Sequence, residues 1–236
     1  MKVLKRTVRE ARWWAEDYLY AALRQLRSAF SRTRADEFLS GTRRPVVVIP
    51  GIYEDWRFML PLVKSLHAAG HPVHVVTLLN RNRRAVPRAA ELIAAYIRAT
   101  ELDDAMIVAH SKGGLIGKYL MMSLDPEVRI RGMVAVCSPF SGSRNAALML
   151  LPSLRALSPR NAVTLQLSRE ERVNEWITSL YGLFDPHIPE GSVLPGARNI
   201  QLDTGGHFRI LGHPTARVRC GGVGGNSGTM ALTGPR

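Results

Sequence analysis

Apolar residues near the amino terminus recur at spacings of three and four: Leu4, Val8, Ala11, Ala15, Leu19, Ala22, Leu26 and Phe30. That period puts them on one face of a helix, and residues 1–44 read as one helical segment. Arg9, Arg12, Glu16, Arg24 and Arg27 fall away from the stripe. Two placements suit such a helix. It lies in a membrane interface, with Trp13, Trp14, Tyr18 and Tyr20 beside the stripe, or it packs on the rest of the chain and keeps a solvated basic face.

From residue 45 to 217 the pattern changes to strand and helix in alternation. Val46 to Ile49 is a short β-branched run ended by Pro50-Gly51, the form of a strand buried on both sides. A helix from Phe58 to Ala69 follows, then a strand from Pro72 to Leu78 and a helix from Pro87 to Ala99. Ala105 to Ala109 predicts a third strand running straight into a helix from Gly113 to Ser123. Met133 to Val136, Ile177 to Phe184 and Asn199 to Leu202 complete the set. The repeat of β then α predicts one α/β domain, a mostly parallel sheet of about six strands with helices on both faces. Loops at the carboxyl ends of the strands then carry the function.

Residues 218–236 contain Gly221-Gly222-Val223-Gly224-Gly225 and have no periodicity, which predicts a disordered tail. No apolar run reaches the ~18–20 residues that span a bilayer. The first residues lack a secretory leader's apolar core, and two cysteines, Cys137 and Cys220, make neither a disulfide framework nor a zinc cluster. A cytoplasmic address is the expectation.

The 236 residues carry a net charge of +13. Residues 1–44 hold eleven Lys and Arg against five Asp and Glu, nearly half of that excess. The concentration of charge suggests peripheral contact between the amino-terminal helix and an anionic membrane. A nucleic-acid role has charge in its favour but no motif or aromatic platform, and is not expected. No metal or cofactor motif occurs either.

Candidate chemistry sits at Ala109-His110-Ser111-Lys112-Gly113. A strand runs into a serine and then a helix, with small residues two before and two after, as in the G-x-S-x-G nucleophile elbow with alanine in the first place. So sharp a turn leaves no room for large flanking side chains and lifts the hydroxyl clear of the sheet. The alternative is a serine that merely caps the helix.

With these residues in view, the segment from about 45 to 215 resembles an α/β-hydrolase of the lipase/esterase type. The resemblance implies an acyl-enzyme mechanism with Ser111 as nucleophile. Ile49-Pro50-Gly51-Ile52-Tyr53 stands where lipases carry the oxyanion-hole loop, so the N–H groups of Ile52 and Lys112 become the oxyanion donors. The Lys112 charge near the mouth would favour anionic substrates. Ser138 to Ser143 matches a segment that shapes the cleft wall. The family order is nucleophile, acid, base, which assigns Asp185 in Phe184-Asp185-Pro186 and His207 in Gly205-Gly206-His207. Asp203 and His213 remain rivals for acid and base, while His187 lies near the cleft. The apolar stretch 145–180 is either a lid, an acyl-binding wall or core helix. The implied activity is hydrolysis of a lipid or other apolar acyl ester. An acyltransferase or thioesterase with the same three residues, or an inactive membrane-associated relative, are the alternatives.

Overall fold

The computed structural model describes residues 2–125 and 127–221. In chain order these form α1 (Lys2–Phe30), β1 (Val46–Ile49), α2 (Leu60–Ala68), β2 (Val73–Val75), α3 (Val86–Ala99), β3 (Ala105–His110) and α4 (Lys112–Ser123). There follow β4 (Ile130–Val136), α5 (Arg144–Ala147), α6 (Pro152–Arg155), α7 (Ala162–Arg169), β5 (Ile177–Phe184), β6 (Arg198–Gly205) and α8 (Pro214–Gly221). All six strands pair in parallel, in the order β2-β1-β3-β4-β5-β6.

The sheet is buried on both faces because β1 is apolar throughout and β3 and β4 depart from that only at His110 and Arg131. Val47, Ile49, Ile107, Ala109 and Ala135 point to one core, with α3, α4 and α7 against them. Val46, Val48, Val108, Val134 and Val136 point to the other, covered by α2 and α8 with Ala21 of α1 at its edge. Register aligns the strand ends that matter: Ile49 pairs with Ala109, and His110 with Val136. The loops after β1, β3, β4, β5 and β6 therefore leave the sheet at one edge.

Several boundaries differ from the sequence reading, and three of them change what is buried. The amino-terminal helix ends at Phe30, and the chain then makes a 3-10 turn at Ala35–Phe38 that buries Phe38. Strand β2 stops at Val75, because residues Thr77–Leu79 close a 3-10 turn and bury Leu79 in the core instead of extending the sheet. Helix α8 carries order past residue 217 as far as Gly221, held by buried Cys220. The rest of the glycine-rich stretch lies outside the described residues.

Candidate active site

Strand β3 ends at His110, and the chain turns at Ser111 with φ 51 and ψ −123 directly into α4. A non-glycine residue in so sparse a region costs about 1–3 kcal/mol, which the surrounding packing must offset. Gly113 lies against the Ile49 carbonyl and Gly114 against Ser138 Oγ, so closely that a Cβ at either position would collide. Strand, turn and helix start are thus locked together. The Ser111 side chain makes no helix-cap bond, and its hydroxyl turns toward His207.

Ser111 Oγ lies 2.9 Å from His207 Nε2, and His207 Nδ1 lies 2.8 Å from Asp185 Oδ2. Facing a carboxylate, Nδ1 carries the ring proton, so Nε2 accepts from the serine hydroxyl. The other Asp185 oxygen accepts from the His187 and Ile188 amides at 2.8 and 3.1 Å, which fixes the carboxylate's plane. Burial acts to raise the Asp185 pKa, but the charge and hydrogen bond of His207 hold it below the ordinary range. Burial likewise pulls His207 down, and the charge and hydrogen bond of Asp185, joined by Asp17 and Glu54, push it above its ordinary value. The two opposed shifts describe a buried pair that stabilises an imidazolium once Nε2 takes a proton.

The rivals stand elsewhere. Asp203 is exposed on β6. His213 Nδ1 accepts the Thr215 amide at 3.2 Å at the start of α8. Lys112 departs from its expected role: the ammonium does not face the mouth. It is buried and donates to the carbonyls of Asn82, at 2.9 Å, and Arg84, with burial bringing its pKa down to about 8. Its side chain ties α4 to the loop after β2. Its amide stands at the first position of α4, where a helix N–H has no intrahelical acceptor.

Three polar residues outside the expected set hold the arrangement. Asp17 of α1 is buried, and its Oδ1 accepts the Phe208 and Arg209 amides, each at 2.8 Å. The chain passes so near that a Cβ on Gly206 would come within 2.6 Å of that oxygen, while Gly205 lies against the Trp13 ring. The Gly-Gly pair before His207 is therefore a seat for α1. Glu54, buried in the loop after β1, accepts the Gly51 amide at 2.7 Å and pairs with His110 Nδ1 at 2.8 Å. The other ring nitrogen of His110 donates to the His207 carbonyl at 3.1 Å. His110 thus links the loops after β1 and β6 from beneath the serine. Only adjacency to Ser111 marked it in the sequence, and nothing marked Asp17 or Glu54.

Above Ser111 and His207 opens a cavity of about 320 Å³ with a predominantly apolar lining that includes Ile52, Pro139, Met149, Leu154 and Leu157. Part of the stretch 145–180 is therefore cavity wall. Tyr53 and Ser153 hydrogen-bond at 2.7 Å, joining the loop after β1 to α6. His187 also lines the cavity, and burial lowers its pKa to about 4, so it is neutral near pH 7. Ligand atoms of Cys137, Asp185 and His207 lie within 4.8 Å of one another. Burial and nearby carboxylates push the Cys137 thiol well up, which keeps it protonated and ill suited to a cation.

No protein-family model matches the sequence, and no curated protein matches it. Solved structures do share its architecture. The mature form of the Bacillus licheniformis lipase BlEst2 is similar over 72% of this chain and 86% of its own, with a TM-score of 0.60 at 15% identity. The monoacylglycerol lipase of Paleococcus ferrophilus is similar over 78% of this chain and 96% of its own, with 0.58 at 16%. A putative non-heme bromoperoxidase, BpoC of Mycobacterium tuberculosis, is similar over 75% and 89%, with 0.56 at 17%.

Proposed function

We propose that this chain, which has the α/β-hydrolase fold, is a serine hydrolase that cleaves carboxylic esters with apolar acyl groups. One observation carries the reading: Ser111, His207 and Asp185 form a hydrogen-bonded row at 2.9 and 2.8 Å, and its Ser111 and His207 line an apolar cavity. In the proposed reaction Ser111 Oγ attacks the ester carbonyl while His207 Nε2 takes its proton. The oxyanion forms beside the Ile52 and Lys112 amides. A donor in such a position is worth ~2.7–4 kcal/mol of barrier. His207 then protonates the departing alcohol, and the same nitrogen activates water to release the acid.

The cavity supports the substrate class. Its volume lies within the range of small-molecule sites, and its apolar wall suits an acyl chain better than a charged group. With the Lys112 ammonium turned away, no Lys or Arg stands among the described residues that line the cavity to select an anionic acid.

A fluorophosphonate probe tests the nucleophile. The wild-type chain takes the label at Ser111, seen by peptide mass, and S111A does not. Hydrolysis of p-nitrophenyl esters falls about 10⁴-fold or more in the same variant. Labelling elsewhere, or undiminished turnover by S111A, overturns the assignment. Faster acyl release to an added alcohol than to water would identify a transferase instead.

A further inference from the structure

The outward face of α1 has no partner among the described residues of the molecule. Val8, Leu19, Leu26 and Phe30 are 62%, 61%, 58% and 82% exposed, because the helix docks through Asp17, Arg24 and Ser28 on its opposite side. A second apolar segment is equally open: Leu148 and Leu150, between α5 and α6, are 83% and 94% exposed. The two flank one opening. Tyr18 of α1 stands with its ring 5.6 Å from that of His187 on one wall of the cavity, and Met149 forms part of the wall beside Leu148 and Leu150. Exposed large apolar side chains gathered on two elements beside a cavity mouth mark a surface with a use.

We infer that this surface docks on an anionic lipid layer, with the cavity mouth turned to the acyl region. Charge decides the occupant. Exposed Arg9 and Arg27 follow one border of the stripe, half-exposed Trp14 and Tyr18 follow the other, and Arg12, held against Glu16 at 2.7 Å, stands in line with Leu19. Apolar side chains entering the acyl boundary, guanidinium groups at phosphate level and aromatic rings between them make the arrangement of an interfacial helix. A second copy of the chain would set those arginines against their own kind. The choice of a lipid ester as substrate rests on the hydrolase reading, whereas the docking itself does not.

Flotation of the full-length S111A protein with vesicles provides the test. Binding to phosphatidylglycerol-containing vesicles exceeds binding to phosphatidylcholine vesicles about tenfold at low salt, and high salt removes the excess. The substitutions L19D with L26D, and separately L150D, each reduce binding about tenfold or more. In the Ser111 background they leave hydrolysis of a short soluble ester unchanged, and circular dichroism checks the fold of each. The inference is overturned by absence of flotation at low salt. Equal binding by either altered patch, or a dimer that L19D/L26D abolishes in a chain that does not float, also overturns it. If S111A floats while the wild type cleaves no ester, the docking stands and the hydrolase reading falls.

Discussion

At the scale of single residues, the proposed reaction makes His207 the group that sets the pH dependence. That reaction uses its neutral form, and the neighbouring carboxylates favour the charged one. Their net effect is a raised pKa, so the acid limb of kcat/KM lies above the ordinary histidine value of 6.5. Asp17 is among the groups that push it up. Removing its charge disfavours the imidazolium and lowers the pKa, so the acid limb of D17N moves to lower pH. The carboxamide oxygen still accepts from the Phe208 and Arg209 amides, which keeps the loop in place. D17A orphans those two amides and costs about 1–3 kcal/mol besides. Profiles on a soluble ester, with urea unfolding of each variant, separate the effects. A D17N profile that overlays the wild type would refute the electrostatic part. Ser111, Asp185 and His207 were legible because each stands at a strand end beside small or turn-forming residues. Asp17 was not, since a carboxylate on a surface helix gives no hint of amides 191 and 192 residues away.

At the scale of elements, α1 separates what periodicity determines from what it leaves open. The spacing of Val8, Leu19, Leu26 and Phe30 marks a helix and its apolar face, but not which face turns inward. The helix packs on the domain and Arg9, Arg12 and Arg27 stay solvated, but the face that packs is the one opposite the stripe. That inward face sets Asp17, Arg24 and Ser28 beside Trp13 and Ala21, and its polar groups find fixed partners. Arg24 donates to the Phe58 carbonyl at 3.0 Å and the Arg57 carbonyl at 2.9 Å, both in the turn that leads into α2. Such bonds depend on where another loop ends, information absent from the helix itself. Replacing Arg24 with Met preserves much of the stem's packing but removes both guanidinium hydrogen bonds. R24M is therefore expected to lose about 1.5–3 kcal/mol, the range for hydrogen bonds to a charged group. Urea unfolding measures it, and an unchanged midpoint would mean that α1 is held by other contacts. The strands were more legible than the helix orientation. A strand buried on both faces has no orientation to choose, and its apolar run alone declares it.

At the scale of the whole molecule, the parallel sheet delivers five loops to one edge, and the ties between those loops are polar. Glu54 comes from the loop after β1, His110 from the end of β3, and the His207 carbonyl from the loop after β6. The connection runs beneath the serine rather than through it, so it holds His207 against Ser111. Its energetics follow from burial. Glu54 and His110 are both nearly sealed from water, and removing one leaves the other desolvated with only its backbone partner. H110A is therefore expected to cost about 3–5 kcal/mol, because a carboxylate is stranded in the interior. In H110A/E54Q the stranded group is neutral and still able to accept from the Gly51 amide. The double variant should then be more stable than H110A alone, with a coupling of about 0.5–3 kcal/mol between the two changes. Denaturant unfolding of the four proteins of the cycle measures that coupling. Additive losses would mean that the two side chains fill space independently, and the loops after β1 and β6 would then have to be joined by packing alone.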